Sequence, residues 1–422
     1  MGGLLDPWRW PVFALQAVAL FFVATLVFDV IHYILHQFLN SRYPLIRRVG
    51  LLHQAHHDFF GRQLDFDDRL VRDNLVKHVI PEYLNQVVIT ASALVILEPA
   101  PVAAALLFET AIFLGVVRRG GKDRNHIPYD AIPASGGALL GLLVTPAYHA
   151  LHHVYPDRYY SSWTTLFDRL AGTASRIRGR RVAMTGASGS FGGPLKALLE
   201  REGAAEVRTL KFGRDYTYDD YGRLDDALRE AEVLVLCHGS KSDHAMEANC
   251  DSFVALIERF RALAADRQIP AEVWAVGSEI EAHPAFGIPE LVLYRDSKRA
   301  FARHARRYYG DRRLVYRHIV PSAFTSPMGP GLMSGSFAAR VALFLIRRGF
   351  RYVPVTYTGV AFFNYFKFLS LTPASPAACA RAGSIAHAAP QHQGARPEGR
   401  AGAKDGSSPG LWWGIVPRDS GF

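Results

Sequence analysis

The chain has 422 residues and a formal net charge of +10, with 49% hydrophobic and 20% charged residues. That length accommodates two domains, and no recognisable RNA- or DNA-binding module accompanies the positive charge, so nucleic acid is not an expected partner. Only Cys237, Cys250 and Cys379 occur, with no CxxC, so neither a disulfide framework nor a cysteine-ligated iron–sulfur cluster is indicated, and an intracellular chain facing the cytosol is expected.

Residues 11–35 form the first long apolar run, enough to cross a bilayer at about 20 residues. It carries Asp29 and His32 and has little basic sequence ahead of it, unlike a cleaved signal. Segment 40–80 brings Arg42, Arg47, Arg48, Arg62, Arg69, Arg72 and Lys77, the composition of a cytoplasmic loop beside a membrane surface. A second apolar run, 86–117, is broken at Glu98-Pro99-Ala100-Pro101, so a hairpin of two shorter helices is expected. Glu109 sits in its second arm, where an acid is either functional or a helix-packing group. A weaker run covers 136–148.

Ten of the 17 histidines precede residue 154, and they cluster. His32 and His36 form an HxxxH; His53, His56 and His57 form an HxxHH; His149, His152 and His153 repeat it. Chance would supply about 0.03 HxxHH matches in a chain of this composition. Residues three and four apart share a helix face, so each cluster points its imidazoles one way. Facing clusters would hold two metal ions, with iron and zinc both suited to imidazole.

Beyond Ser161 the character changes. A short strand at 181–184 runs into Thr185-Gly186-Ala187-Ser188-Gly189-Ser190-Phe191-Gly192 and a helix over 194–201. Strands at 206–210, 233–237, 272–276 and 314–320 alternate with helices, predicting a doubly wound parallel sheet. Glycines after a first strand let the backbone approach a pyrophosphate, which faces the helix N-terminus. Tyr294 and Lys298 form a YxxxK on one helical face, with Ser278 at the end of a strand and Asn249 in the preceding helix. In this pattern Lys298 is expected to lower the tyrosine pKa and hold the ribose, Ser278 to bind the substrate oxygen, Tyr294 to pass a proton and Asn249 to support its relay. Lys211 and Arg214 end the second strand and favour the 2′-phosphate of NADP over NAD. Within 336–371, stretches 338–350 and 357–371 read as amphipathic helices on the surface or touching a membrane, and 372–422 as a low-complexity, disordered tail.

These residues resemble two families joined in one chain. Residues 12–172 are similar to the fatty acid hydroxylase (sterol desaturase) superfamily, and 179–330 to the short-chain dehydrogenase/reductases; the combination resembles bacterial bifunctional sterol desaturase/short-chain dehydrogenases. The resemblance implies a di-iron site with His32, His36, His53, His56, His57, His149, His152 and His153 as ligands, joined by His126 from the single-histidine motif between the HxxHH boxes. Many relatives place a second histidine near His126; here those positions are Arg118, Arg119 and Lys122, with His78 as a substitute. It also implies a cofactor loop of Gly186, Ser188, Gly189 and Gly192, and a tetrad of Asn249, Ser278, Tyr294 and Lys298. Cys237-His238-Gly239 stands where relatives carry Asn-Ala-Gly or Asn-His-Gly.

The expected architecture is an N-terminal all-α membrane bundle with a dimetal site (1–175), then a Rossmann-type α/β domain (179–335). The expected activity is O2-dependent hydroxylation or desaturation of a sterol-like, fatty or terpenoid lipid, coupled to NAD(P)-dependent alcohol/carbonyl interconversion. Two irons, an external electron donor (a ferredoxin or reductase) and sites facing the cytoplasm belong to that reading. Its rivals are a membrane-anchored reductase with structural zinc and a non-catalytic lipid-binding scaffold.

Overall fold

The computed structural model describes residues 9–132, 141–285 and 287–373. Cys379, the expected tail from 374 onward and residues 136–140 of the third apolar run lie outside the described residues.

The first half is helical. α1 (Arg9–Leu39) packs against α2 (Pro44–Phe59), a one-turn α3 (Val71–Asn74) continues through a π-helical turn (Leu75–Val79) into α4 (Ile80–Ser92), and α5 (Pro99–Arg118) packs on both α1 and α4. Proline at the first position of α5 suits a helix start, because its missing N–H has no intrahelical partner there. α1 and α5 are long and apolar enough to cross a membrane, and side chains such as Leu15, Val18, Leu107 and Phe108 face outward. α6 (Pro146–Val154) and α7 (Leu166–Ala171) complete this half. α6 starts at Thr145, whose side chain accepts the Tyr148 N–H, and every residue from Pro146 to His153 is buried.

The second half is a six-stranded sheet in the order β2-β1-β3-β4-β5-β8 with all neighbours parallel. Its strands are β1 (Arg181–Thr185), β2 (Glu206–Leu210), β3 (Val233–Leu236), β4 (Ala271–Val276), β5 (Leu314–Pro321) and β8 (Tyr352–Val355). The intervening β6 (Phe324–Thr325) and β7 (Met333–Ser334) pair only with each other. α8 (Gly192–Arg201) and α12 (Gly335–Arg347) cover one face, with Leu195, Ala339 and Ile346 in its core. α9 (Asp225–Glu230), α10 (Ser252–Asp266), α11 (Pro289–Gly310) and α13 (Val360–Ser370) supply the core of the other. The order reverses between β1 and β3, the switch point at which doubly wound sheets bind ligands.

The two helices expected within segment 336–371 are present as α12 and α13. With the edge strand β8 between them, they pack on the sheet domain, which extends past the expected boundary at 335. The α12 residues Ala338, Ala339 and Ala342 are fully buried, while Phe337 and Phe344 point outward and give the helix its amphipathic look.

The halves join at the N-terminal ends of the strands. Tyr148 and Leu151 of α6 pack with Val315 at the start of β5, Tyr155 donates to Glu232 just before β3, and Arg313 donates to the Asp130 carbonyl at 2.7 Å. The glycine loop after β1 and Ser278 after β4 stand at the opposite, C-terminal ends.

Candidate metal centre and nucleotide site

All nine histidines singled out in the sequence converge. His32, His36, His53, His57 and His152 form one group and His56, His126, His149 and His153 another, the ligand atoms within each lying within 4.8 Å of one another. α1 supplies His32 and His36, α2 and α6 supply the HxxHH triads, and His126 enters from the loop after α5. Helical spacing explains the local arrangement, since each triad presents one face. His32, His53, His152 and His153 are at most 3% exposed.

Outer partners set the ring orientations. Nδ1–H of His32 donates to the Tyr160 carbonyl (2.9 Å), of His152 to the Arg158 carbonyl (2.8 Å), and of His153 to the Phe60 carbonyl (2.8 Å). His126 Nδ1 donates to Asp123 (2.7 Å) and His56 Nδ1 to Asn74 (3.1 Å). Each bond fixes the tautomer whose free lone pair is on Nε2, as metal-ligating imidazoles require. The Nε2 atoms then meet: His32 and His152 at 2.9 Å, His36 and His53 at 3.1 Å, His56 and His126 at 2.9 Å, His126 and His153 at 3.0 Å. Lone pairs so close repel one another unless a proton or cation lies between them. Burial, reinforced by neighbouring imidazoles, pushes His53, His56, His57, His152 and His153 well below their usual range, and His149 down to about 3. Neutral, buried, inward-facing nitrogens in groups of five and four fit two metal ions.

His78 lies outside both groups. Its Nδ1 is 3.2 Å from His53 Nδ1 and its ring stacks on His56 at 4.0 Å, a supporting position. Among the outer partners, Asp123 was visible as an acid three residues before His126. The carbonyls of Phe60, Arg158 and Tyr160 carry no side-chain signal. Asp29 and Asp168 hold the loop that presents two of those carbonyls: Asp29 accepts from the Ser162 N–H (3.0 Å), and Asp168 from those of Tyr160 (3.1 Å) and Ser161 (2.9 Å).

A cleft of about 390 Å³ reaches this centre, with His56 and His78 in its wall beside residues of α1, α4 and α5.

At the switch point of the sheet, Gly186 has φ +67°, and a Cβ there would lie 2.5 Å from the Cys237 carbonyl carbon. A Cβ on Gly192 would lie 2.0 Å from the Gly186 carbonyl oxygen. The loop is thus closed to side chains, while Ser188 and Gly189 on its outer turn are exposed and α8 begins at Gly192. This cradle fits a dinucleotide pyrophosphate. His238, in the loop after β3, bridges Thr185 (2.7 Å) and Ser252 (3.1 Å). Lys211 and Arg214 are exposed after β2, and the structure adds Asp215, which accepts the Lys211 N–H (2.8 Å) and pairs with the Arg214 guanidinium (2.8 Å).

Ser278, Tyr294 and Lys298 come together. The Ser278 and Tyr294 side chains are close enough to interact, and the Lys298 ammonium lies 5.8 Å from the tyrosine ring centre. Lys298 Nζ donates to the Val276 carbonyl (2.9 Å) at the end of β4. Glu281 accepts the Ser278 N–H (2.8 Å) and meets His318 at 3.1 Å, a buried support not visible in the sequence. Asn249, in a π-helical turn, spends its amide on the Ser240 carbonyl (2.7 Å) and the Ser297 hydroxyl (3.0 Å). The expected lowering of the tyrosine pKa is not found. Burial pushes Tyr294 up to about 12, against the Ser278 hydrogen bond, and pulls Lys298 down to about 8. Tyr294 thus keeps its proton at neutral pH.

Known proteins similar to this chain fall into two groups. Residues 18–173 match the fatty acid hydroxylase family. A monoglucosyldiacylglycerol epimerase from Synechocystis is 31% identical over 296 residues, 62% of this chain and 71% of that protein. Among solved structures, a short chain dehydrogenase from Burkholderia cenocepacia in complex with NADP aligns over 46% of this chain and 95% of its own (16% identity, TM-score 0.37). A 3-oxoacyl-[acyl-carrier protein] reductase from Brucella melitensis aligns over 44% and 93% (16% identity, TM-score 0.34). The chain belongs to the fatty acid hydroxylase family and is a lipid-modifying oxidoreductase.

Proposed function

We propose that the protein oxidises a membrane lipid at the buried histidine centre and interconverts alcohol and carbonyl groups at the NAD(P) site of the sheet domain. The observation that carries this reading is the convergence of nine histidine nitrogens into groups of five and four. Two irons held there would supply redox chemistry toward O2 and an unactivated C–H or carbinol position, with electrons from an external donor. The protein's own contribution is to hold those nitrogens neutral, dry and oriented through Asp123, Asn74 and the three carbonyls.

At the sheet site, Ser278 binds the reacting oxygen and Tyr294 hands it a proton, while Gly186, Gly189 and Gly192 cradle the pyrophosphate. Asn249 orders the neighbouring loop through Ser240. Lys211 and Arg214 favour NADP. The kinship with a glycolipid epimerase supports a carbinol as the reacting group. Inverting a carbinol removes two electrons and two protons to give a carbonyl, then returns hydride to the opposite face with a proton, and the second half suits a tyrosine that holds its proton.

The test is metal analysis of the detergent-purified full chain with a His56→Ala control. About two irons per chain, reduced in the variant while NADPH binding persists, is the expected result. Zinc alone after growth in iron-replete medium would replace the oxidase reading with that of a membrane-anchored reductase.

A further inference from the structure

Glu281 closes the turn that presents Ser278. Glu279–Glu281 form a single tight helical turn with Ser278 as its N-cap, and the Glu281 carboxylate reaches back to accept the Ser278 N–H (2.8 Å). Capping of this kind needs only one side-chain oxygen, so a glutamine would serve equally well. Glu281, however, is 4% exposed, and its second oxygen meets Nε2 of the fully buried His318 on β5 (3.1 Å). The Tyr316 hydroxyl lies 3.1 Å from His318 Nδ1 and, by donating there, fixes the tautomer that donates to Glu281. The Phe368 ring stacks on the imidazole at 5.1 Å. Gly277 makes room for the pair: a Cβ there would collide with Glu281 Oε1 and lie 2.7 Å from His318 Cε1. A buried carboxylate is far costlier to desolvate than the amide that would cap in its place, so the charge itself has a role here.

That role concerns the neighbouring peptide groups. Lys298 donates to the Val276 carbonyl (2.9 Å) while Glu281 accepts the Ser278 N–H, so the two charges hold successive peptide groups on either side of Gly277. Lys298 is 2% exposed. Around it stand the Cys237 and Cys250 thiols, His238, Tyr294, the Phe253 ring and Glu281, the carboxylate of the set. Burial pulls the ammonium down to about 8, and Glu281 opposes that fall. On Tyr294 the same negative charge adds to the desolvation that keeps the phenol protonated. One carboxylate thus favours a charged lysine and a neutral tyrosine together, the two states that proton donation from Tyr294 uses.

We propose that Glu281, held by His318, is a positioning residue of the sheet site: its carboxylate fixes the Ser278 backbone and acts as the through-space counter-charge of Lys298. This rests on the reading of that site as an NAD(P)-dependent carbonyl reductase.

Two substitutions separate the charge from the cap. In Glu281→Gln the amide oxygen still accepts the Ser278 N–H, and the NH2 meets His318 once that ring takes its other tautomer. Glu281→Asp keeps the charge on a shorter stem. The measurement is the pH titration of Lys298 in the full chain in detergent, by NMR of isotopically labelled lysine with Lys298→Met identifying the signal, beside the pH profile of NADPH-dependent carbonyl reduction. The wild-type midpoint is expected at about 8. Glu281→Gln should lower it by about one pH unit, the smaller end of what an opposite charge contributes, and the alkaline decline in rate should begin correspondingly earlier. Glu281→Asp should leave the midpoint in place and reduce the rate at every pH, because Ser278 is no longer held. A Lys298 midpoint that stays in place in Glu281→Gln would overturn the proposal, since a cap alone would then account for the residue. So would a midpoint that falls as far in Glu281→Asp as in Glu281→Gln. A chain whose lysine titrates and shifts as expected but which reduces no carbonyl would instead remove the reductase reading and leave the counter-charge assignment standing.

Discussion

The Tyr159 hydroxyl donates to the Glu272 carboxylate (2.7 Å) across the seam between the helical half and the sheet. Tyr159 stands between the two residues whose carbonyls hold His152 and His32, namely Arg158 and Tyr160. Its backbone has φ +60°, which a tyrosine adopts only when its surroundings enforce it. The sheet therefore grips the loop that aims two histidines of the five-membered group. Tyr159→Phe should lower stability by about 1–3 kcal/mol, since Glu272 loses a buried donor. It should also weaken metal retention by about tenfold, the lower range for outer partners. Thermal unfolding and metal content after mild chelation check both; unchanged metal retention would disconnect the seam from the centre.

Glu272 is fully buried between Arg180 (2.6 Å) and Arg317 (3.1 Å). Burial alone would raise its pKa, but the two guanidiniums outweigh it and hold the carboxyl well below its ordinary value of 4.5. The folded state thus binds fewer protons than the unfolded state in acid. This contribution is fully present above pH 4.5 and is lost as pH falls through the depressed folded value. Glu272→Leu, which strands two buried cations, should cost about 3–5 kcal/mol at neutral pH. It should also remove part of the acid limb of the stability profile, as followed by denaturant unfolding at several pH values.

For the sheet site, Tyr294→Phe should cut NADPH-dependent carbonyl reduction by about 10²–10⁴-fold with cofactor binding intact, the usual worth of a positioned acid. Because Tyr294 keeps its proton up to about pH 12, it contributes no limb near neutrality. Lys298 loses its charge as pH rises through about 8, so a decline above that pH is expected. A rate profile rising steadily from pH 7 to 10 would argue against these roles.

Gly192→Ala tests the cradle. The new methyl would lie 2.0 Å from the Gly186 carbonyl, so the loop must open. NADPH affinity should fall at least about tenfold while metal content stays unchanged. Retained affinity, measured by fluorescence titration, would remove the pyrophosphate from this loop.

The histidine centre was legible because HxxxH and HxxHH are helical-face spacings, and any helix through them brings the rings together. What orients the rings was less so. Carbonyls belong to every residue, and only the folded chain shows that Phe60, Arg158 and Tyr160 offer theirs. The sheet was readable up to β5 from its apolar strands and the glycine loop. β8 was not, being four residues long with Pro354 in its middle; a proline is tolerated there because the strand lies at the sheet edge. Once β8 is missed, α12 and α13 lose the surface they pack on and read as amphipathic segments. The Tyr294 pKa ran opposite to expectation because desolvation of the half-buried phenol outweighs its other partners, while Lys298 directs its ammonium to the strand end.

The two sites stand at opposite ends of one sheet. Along β4, six residues at about 3.3 Å each interpose roughly 20 Å of closely packed strand. No hydride can pass from nicotinamide to the histidine centre over that span, and no single reacting carbon can sit at both at once. In the proposed two-site reaction, a lipid oxidised at the histidine centre must therefore leave it before meeting the nucleotide site. A hydroxylamine trap added to vesicles should intercept the carbonyl form between the two steps.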